Sequence, residues 1–168
     1  MVTADLATAQ AVVSAVTDPE LPMLTLADLG ILRAVDEVAG QVVVTITPTY
    51  TACPAIETMR HDITRALDQA GYPGAAVRTE LQPAWSSDWI SADGRRKLAE
   101  AGIAPPGAVR ARPAGPVPLT LVPCAGAVAC PHCGSPATEL VSEFSATACR
   151  SLRRCAACRE PFEHVKEI

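Results

Sequence analysis

The chain has 168 residues, of which 49% are apolar and 19% charged, with a formal net charge of −4. That length suits one domain of roughly 100 residues plus a small second module, and no apolar run approaches the ~18 residues needed to span a bilayer. The acidic balance argues against a nucleic-acid-binding protein, which needs a strongly basic footprint.

The N-terminus, MVTADLATAQ, has an acid at Asp5 and no basic leader of the secretory kind, so a cytoplasmic, reducing location is expected. There, seven cysteines point to metal or thiol chemistry rather than disulfides, and the odd number argues against a closed disulfide framework.

In chain order, the first element reads as a helix. Leu6, Ala9, Val13 and Val16 recur at helical spacing, Thr3 is available as N-cap, and Asp18-Pro19-Glu20 stops it. A turn-rich stretch leads into a predicted strand from Ile31 to Val38. Gly40 sits at a hairpin position, and the β-branched run from Gln41 to Thr47 is the antiparallel partner.

Pro48 ends that strand, and Cys53-Pro54 is expected to open a second helix. Its buried face is Ile56, Met59, Ile63 and Leu67, and Gly71 closes it. A third strand, Ala76 to Leu81, precedes the segment AWSSDWIS, in which one or both of Trp85 and Trp89 are expected in the core. Ser91 is placed to cap a short charged helix. The order α–β–β–α–β–α predicts a small α+β domain over residues 1–103. A proline-rich linker at 104–118 then precedes a small β-rich module at 119–168. Charge supports the division, with a net of −6 in residues 1–109 and +2 in 110–168.

Cys130-Pro-His-Cys133 and Cys155-Ala-Ala-Cys158 are separated by 21 residues. A C-x₂-C turn aims both sulfurs at one centre, and two such knuckles complete a tetrahedron; Gly134 lets the first turn tightly. This predicts a Cys₄ zinc ribbon. Iron could occupy four thiolates, and Cys-Pro-His-Cys alone would suit a thiol oxidoreductase, but the second pair and the turn-rich context favour zinc. Four thiolates leave no open coordination position, so the ion is structural and supplies the stability that a module of ~50 residues lacks. His132 and His164 are expected at the surface, and Cys124 and Cys149 as bystanders, Cys149 being close enough in sequence to compete for metal.

Cys53 has a different setting. At a helix start, unpaired N–H groups and the dipole would favour a metal-binding thiolate, whereas a small buried residue filling a gap fits the residues equally well. Asp18 and Glu20 could face the Cys53 loop, or serve only as turn and cap groups.

The motifs Asp18-Pro19-Glu20, Asp28-Leu29-Gly30-Ile31 and Thr47-Pro48-Thr49-Tyr50-Thr51-Ala52-Cys53-Pro54 resemble the SufT-related family of metal–sulfur cluster assembly factors over about residues 8–100. With PAWSSDWIS, GIAPP, CPHCGS and CAAC added, the whole chain resembles the PaaD (PaaJ) family of bacterial phenylacetate degradation. That resemblance implies a non-catalytic maturation factor of the phenylacetyl-CoA oxygenase (epoxidase) system. It would serve the oxygenase's iron–sulfur reductase or di-iron subunits, handling an iron–sulfur cluster or iron transiently through Cys53, with Asp18, Glu20 and Thr49 around it.

One thiol per chain cannot close a cluster, so a homodimer, a partner protein or a small thiol would supply the remaining ligands. The chain has no Glu-x-x-His pair for a di-iron centre and no dinucleotide fingerprint. Two other readings follow from the residues: a zinc-ribbon docking module without metal transfer, and an enzyme with Cys53 as nucleophile. The second is poorly served, because His61 lies two helical turns beyond Cys53.

Overall fold

The computed structural model describes residues 5–109 and 128–168. The chain divides into two compact units, Met1–Leu98 and Ala99–Ile168. No helix among the described residues is long and apolar enough to cross a membrane.

The first unit opens with α1, Leu6–Ser14. Asp5 caps it, its carboxylate accepting the Ala7 and Thr8 N–H groups; the expected cap, Thr3, lies outside the described residues. Strands β1 (Leu32–Val38) and β2 (Gln41–Ile46) form the expected antiparallel hairpin. Ala39 and Gly40 turn it, with φ of 52° and 81°. α2 (Ile56–Gln69) then crosses over to β3 (Ala76–Thr79), which pairs parallel to β2 with Val43 opposite Ala76 and Ile46 opposite Thr79. β2 is therefore central and buried along its apolar run, while Met59, Ile63 and Leu67 form the buried stripe of α2 that the i, i+4 spacing predicts.

α3, Ala92–Glu100, closes the unit, with Ala99 and Glu100 falling just past its Leu98 boundary. Ser91 caps it as expected, its Oγ accepting the Gly94 N–H at 2.9 Å. The Asp28 carboxylate accepts from Lys97 Nζ at 2.8 Å and from the Thr25 N–H at 3.0 Å, while the Asp28 carbonyl accepts the Ser91 N–H at 2.9 Å. Asp28 thus holds α3 to the loop that feeds β1. Trp85 is buried, and its indole N–H donates to the Leu29 carbonyl at 2.9 Å.

The second unit is an antiparallel sheet of β4 (Thr138–Ser142), β5 (Arg150–Cys155) and β6 (Pro161–Val165), in that spatial order. Its core is small: Ala104, Val128, Cys130, Cys155 and Phe162. Ala104, expected to begin a linker, instead bridges His164 of β6 in parallel, giving its N–H to Glu163 and accepting from Val165.

Candidate functional site

The two cysteine knuckles come from separate turns that the second unit's hydrogen bonds bring together. The Gly134 N–H donates to the Cys130 carbonyl at 2.8 Å, and the Cys155 N–H to the Glu160 carbonyl at 3.0 Å. The tightening residue of the first knuckle is Gly134, at φ 72°; four residues beyond Cys155 the same left-handed geometry falls on Arg159, at φ 66°. Sequence reasoning found the glycine and missed the arginine, although both stand four places after the first cysteine of their pair.

The Sγ atoms of Cys130, Cys133, Cys155 and Cys158 all lie within 4.8 Å of one another. Cys130 approaches Cys158 at 3.7 Å and Cys133 approaches Cys155 at 3.6 Å. A tetrahedron with Zn–S near 2.3 Å has S···S edges of about 3.8 Å, so these two edges match a zinc site and the other sulfur pairs lie within about 1 Å of it. Cys130 and Cys155 are buried, while Cys133 and Cys158 reach the surface.

Electrostatics agree. The Cys158 N–H, 3.5 Å from Cys155 Sγ, draws that thiol down to about 6. The Glu160 N–H favours a Cys158 thiolate too, but burial and the crowding sulfurs of Cys155, Cys133 and Cys130 push it up to about 12. Four sulfurs this close can all be thiolates only with a cation among them. Cys149 stands outside this group, its sulfur 3.1 Å from Thr147 Oγ1. Cys124 lies outside the described residues.

The histidines divide. His132 is exposed, as expected, and neither it nor His164 belongs to the sulfur cluster. His164 corrects the expectation of a surface residue: it is only 3% exposed, because its strand position faces the sheet's covered side. Burial, first of all, lowers its pKa, and its Nδ1 is 3.4 Å from Ser151 Oγ while Nε2 lies 3.5 Å from Glu167 Oε1.

The Cys53 loop lies in the first unit. Thr47 leaves β2 with its N–H on the Ile31 carbonyl, so the Thr47–Pro54 loop springs from the carboxyl end of the parallel β2–β3 pair, next to the turn that starts β1. In open sheets with parallel strands, that end is where binding loops gather. Cys53 itself is buried, and Thr49 is half-buried. α2 does not open at Cys53-Pro54 as expected. Ala55 is the N-cap and Ile56 the first helical residue, the Cys53 carbonyl accepting the Ile56 N–H at 3.3 Å in the preceding turn. Cys53 therefore sits two residues ahead of the cap. His61 is exposed on α2.

Asp18 and Glu20 lie in a turn stitched to the same end of the sheet: Thr17 bridges Thr25, the Leu26 N–H donates to Val16, and the Leu26 carbonyl accepts from Ile31 and Leu32. Asp18 is buried, and its Oδ1 accepts the Glu20 and Leu21 N–H groups, each at 2.9 Å. It shapes this turn. Gly30 completes the DLG turn at φ 67°, where a Cβ would come 2.6 Å from Trp89 Cβ and 2.7 Å from its carbonyl oxygen.

Comparisons with known proteins follow the same division. Residues 6–79 match the model of an iron–sulfur cluster assembly protein family, and residues 115–166 match that of the PaaD zinc beta ribbon domain. The protein named as the D component of a 1,2-phenylacetyl-CoA epoxidase in Escherichia coli (strain K12) is 42% identical over 158 residues, covering 94% of this chain and 90% of that protein. An Fe-S protein maturation auxiliary factor of Porphyromonas gingivalis (strain ATCC BAA-308 / W83) is 33% identical over 85 residues, 49% of this chain and 80% of its own. Among solved structures, a domain of unknown function (DUF59) from Bacillus anthracis matches with a TM-score of 0.51 at 25% identity, covering 55% of this chain and 90% of that one.

Proposed function

The chain belongs to the PaaD family, the D components of 1,2-phenylacetyl-CoA epoxidases, and from that premise we propose that it is a non-catalytic maturation factor of such an oxygenase, acting in the cytoplasm. Its first unit assembles or delivers an iron–sulfur cluster or iron through Cys53, and its second carries a structural zinc ion on Cys130, Cys133, Cys155 and Cys158. The recipient is an oxygenase component, either an iron–sulfur reductase or a di-iron protein.

The observation that carries this reading is the position of Cys53. It lies on a loop at the carboxyl end of the parallel strand pair, within the residues that match an iron–sulfur assembly family. The neighbouring turns reach the same end of the sheet, which supports Glu20 and Thr49 as the proposed shell of the thiol. Asp18, with Oδ1 committed to two backbone N–H groups, holds the turn in shape. Because one thiolate leaves a cluster or iron ion short of ligands, the remaining ones come from a second copy of the chain, the recipient or a small thiol. Incomplete ligation also suits a cargo that must leave.

The direct test is iron, zinc and sulfide analysis of protein purified without oxygen, beside Cys53→Ser. The reading expects about one zinc per chain in both proteins. Iron, with or without sulfide, should be present only where Cys53 is intact. Equal iron in both would remove Cys53 from the transfer site.

A further inference from the structure

The segment that follows α3 is held to the ribbon along β6. The Ala104 N–H donates to the Glu163 carbonyl at 2.8 Å, and the Ala104 carbonyl accepts the Val165 N–H at 3.0 Å. Glu167 Oε1 accepts the Gly107 N–H at 2.9 Å. These bonds straddle His164, the residue that Ala104 bridges directly. The His164 ring is buried, and its Nε2 makes no hydrogen bond within the described residues. Glu167 Oε1, already engaged by Gly107, stands 3.5 Å from that nitrogen. Arg153 of β5 shares this face of the sheet, because Arg153 is opposite Phe162 and Ser151 is opposite His164. It is 7% exposed, and its Nε is likewise without a hydrogen-bond partner among the described residues.

A proton on His164 would therefore add a second buried cation beside Arg153. The carboxylate acting on both is Glu167, whose side chain is 41% exposed and so partly screened by water. Burial, aided by Arg153, outweighs the pull of Glu167 and holds the His164 pKa below its ordinary 6.5. The folded chain thus binds this proton less tightly than an opened one. Stability that is present at neutral pH is lost as the pH falls through about 6.5. Glu167 stays ionised in that window. Burial raises its pKa, but the Gly107 N–H and the neighbouring positive charge outweigh burial and keep it below 4.5.

Solvating the charged ring requires β6 to part from a neighbour, and its two seams are unequal. β5 pairs with β6 over five residues, whereas residues 104–107 hold it by one bridge and the Glu167 side chain. The shorter seam opens first. We propose that His164 is an acid-sensitive latch: neutral, it leaves residues 104–107 on β6, and protonated, it releases them. The latch sets how firmly the ribbon grips the chain that enters it from α3, and it is independent of the chemistry at Cys53.

The test follows the full-length, zinc-loaded chain between about pH 7.5 and 5.5, with zinc content measured at each step. Hydrogen exchange is read at the Ala104 and Val165 amides, corrected for the intrinsic rate, and the His164 ring is titrated by proton NMR. Wild-type protection at these two amides should fall up to about tenfold over that range, the proton uptake of an opened form with an ordinary imidazole. Amides that pair β4 with β5 should keep theirs. His164→Gln, which cannot take the proton, should show no such fall. Glu167→Gln removes the favourable charge, so its His164 ring should titrate lower than that of the wild type. Wild-type protection that holds constant, an equal fall in His164→Gln, or a fall that tracks zinc loss would each overturn the latch. So would a His164 ring that titrates at about 6.5 or above. If His164→Gln does not fold, the ring titrations decide: identical values in the wild type and Glu167→Gln would overturn the proposal.

Discussion

Gly30 and Arg159 both hold a positive φ, for different reasons and with opposite consequences for substitution. At Gly30 the backbone is left-handed and a Cβ would also strike Trp89 at 2.6 Å, with backbone among the atoms it meets. Gly30→Ala should therefore destabilise the first unit by about 2–3 kcal/mol, measured by denaturant unfolding, since strain and overpacking add. Arg159 bears the left-handed cost at φ 66° because the second zinc knuckle needs that turn. Arg159→Gly should relieve strain worth up to about 1 kcal/mol, partly offset by the greater freedom of glycine when unfolded. A raised melting temperature with unchanged zinc content would show it. The motif residues are visible in the sequence. Their purpose cannot be read there, because Gly30 answers to Trp89, far along the chain.

Among the elements, α3 depends on a residue well outside it. Burial raises the Asp28 carboxyl pKa, but the hydrogen bond from Lys97, helped by those from Thr25, outweighs it and holds the group below the usual carboxylate range. A depressed pKa contributes stability that is present above the unfolded value, near 3.9, and lost as pH falls through the folded one. The wild type should thus lose stability below about pH 4. Asp28→Asn should lose about 1–2 kcal/mol at neutral pH, a value discounted for partial exposure, and show a flatter profile in acid. On the proposed structural zinc, the ribbon elements depend instead on metal. Cys130→Ser and Cys155→Ser each remove a buried ligand from a unit whose core is five residues. Both should release zinc and lose hydrogen-exchange protection in β4, β5 and β6 while β1, β2 and β3 keep theirs. Periodicity makes the helices and the hairpin legible. The start of α2 lies later than the sequence suggests because Cys53-Pro54 resembles a helix entry, whereas the chain first makes another turn, closed by the Ile56 N–H on the Cys53 carbonyl.

In the whole molecule, composition and spacing foretell an α+β unit followed by a ribbon. Residues 104–107 are harder to assign. Their prolines suggest a spacer, yet Ala104 is bridged to β6, a pairing that no local pattern announces. His164 is hidden for the same reason: its burial is set by what covers the sheet, which a short strand does not encode. The proposed division into separate folding units predicts that a chain truncated after Gly102 remains soluble and melts cooperatively. The account's central claim concerns Cys53, and it is tested most directly by the iron content of the oxygenase recipient produced alongside either the normal chain or Cys53→Ser. With equal amounts of both proteins, and with zinc content and melting unchanged by the near-isosteric substitution, the recipient made with the variant should lack most of its iron. A recipient fully loaded with iron in the presence of Cys53→Ser would contradict transfer through this thiol and leave the chain a docking protein.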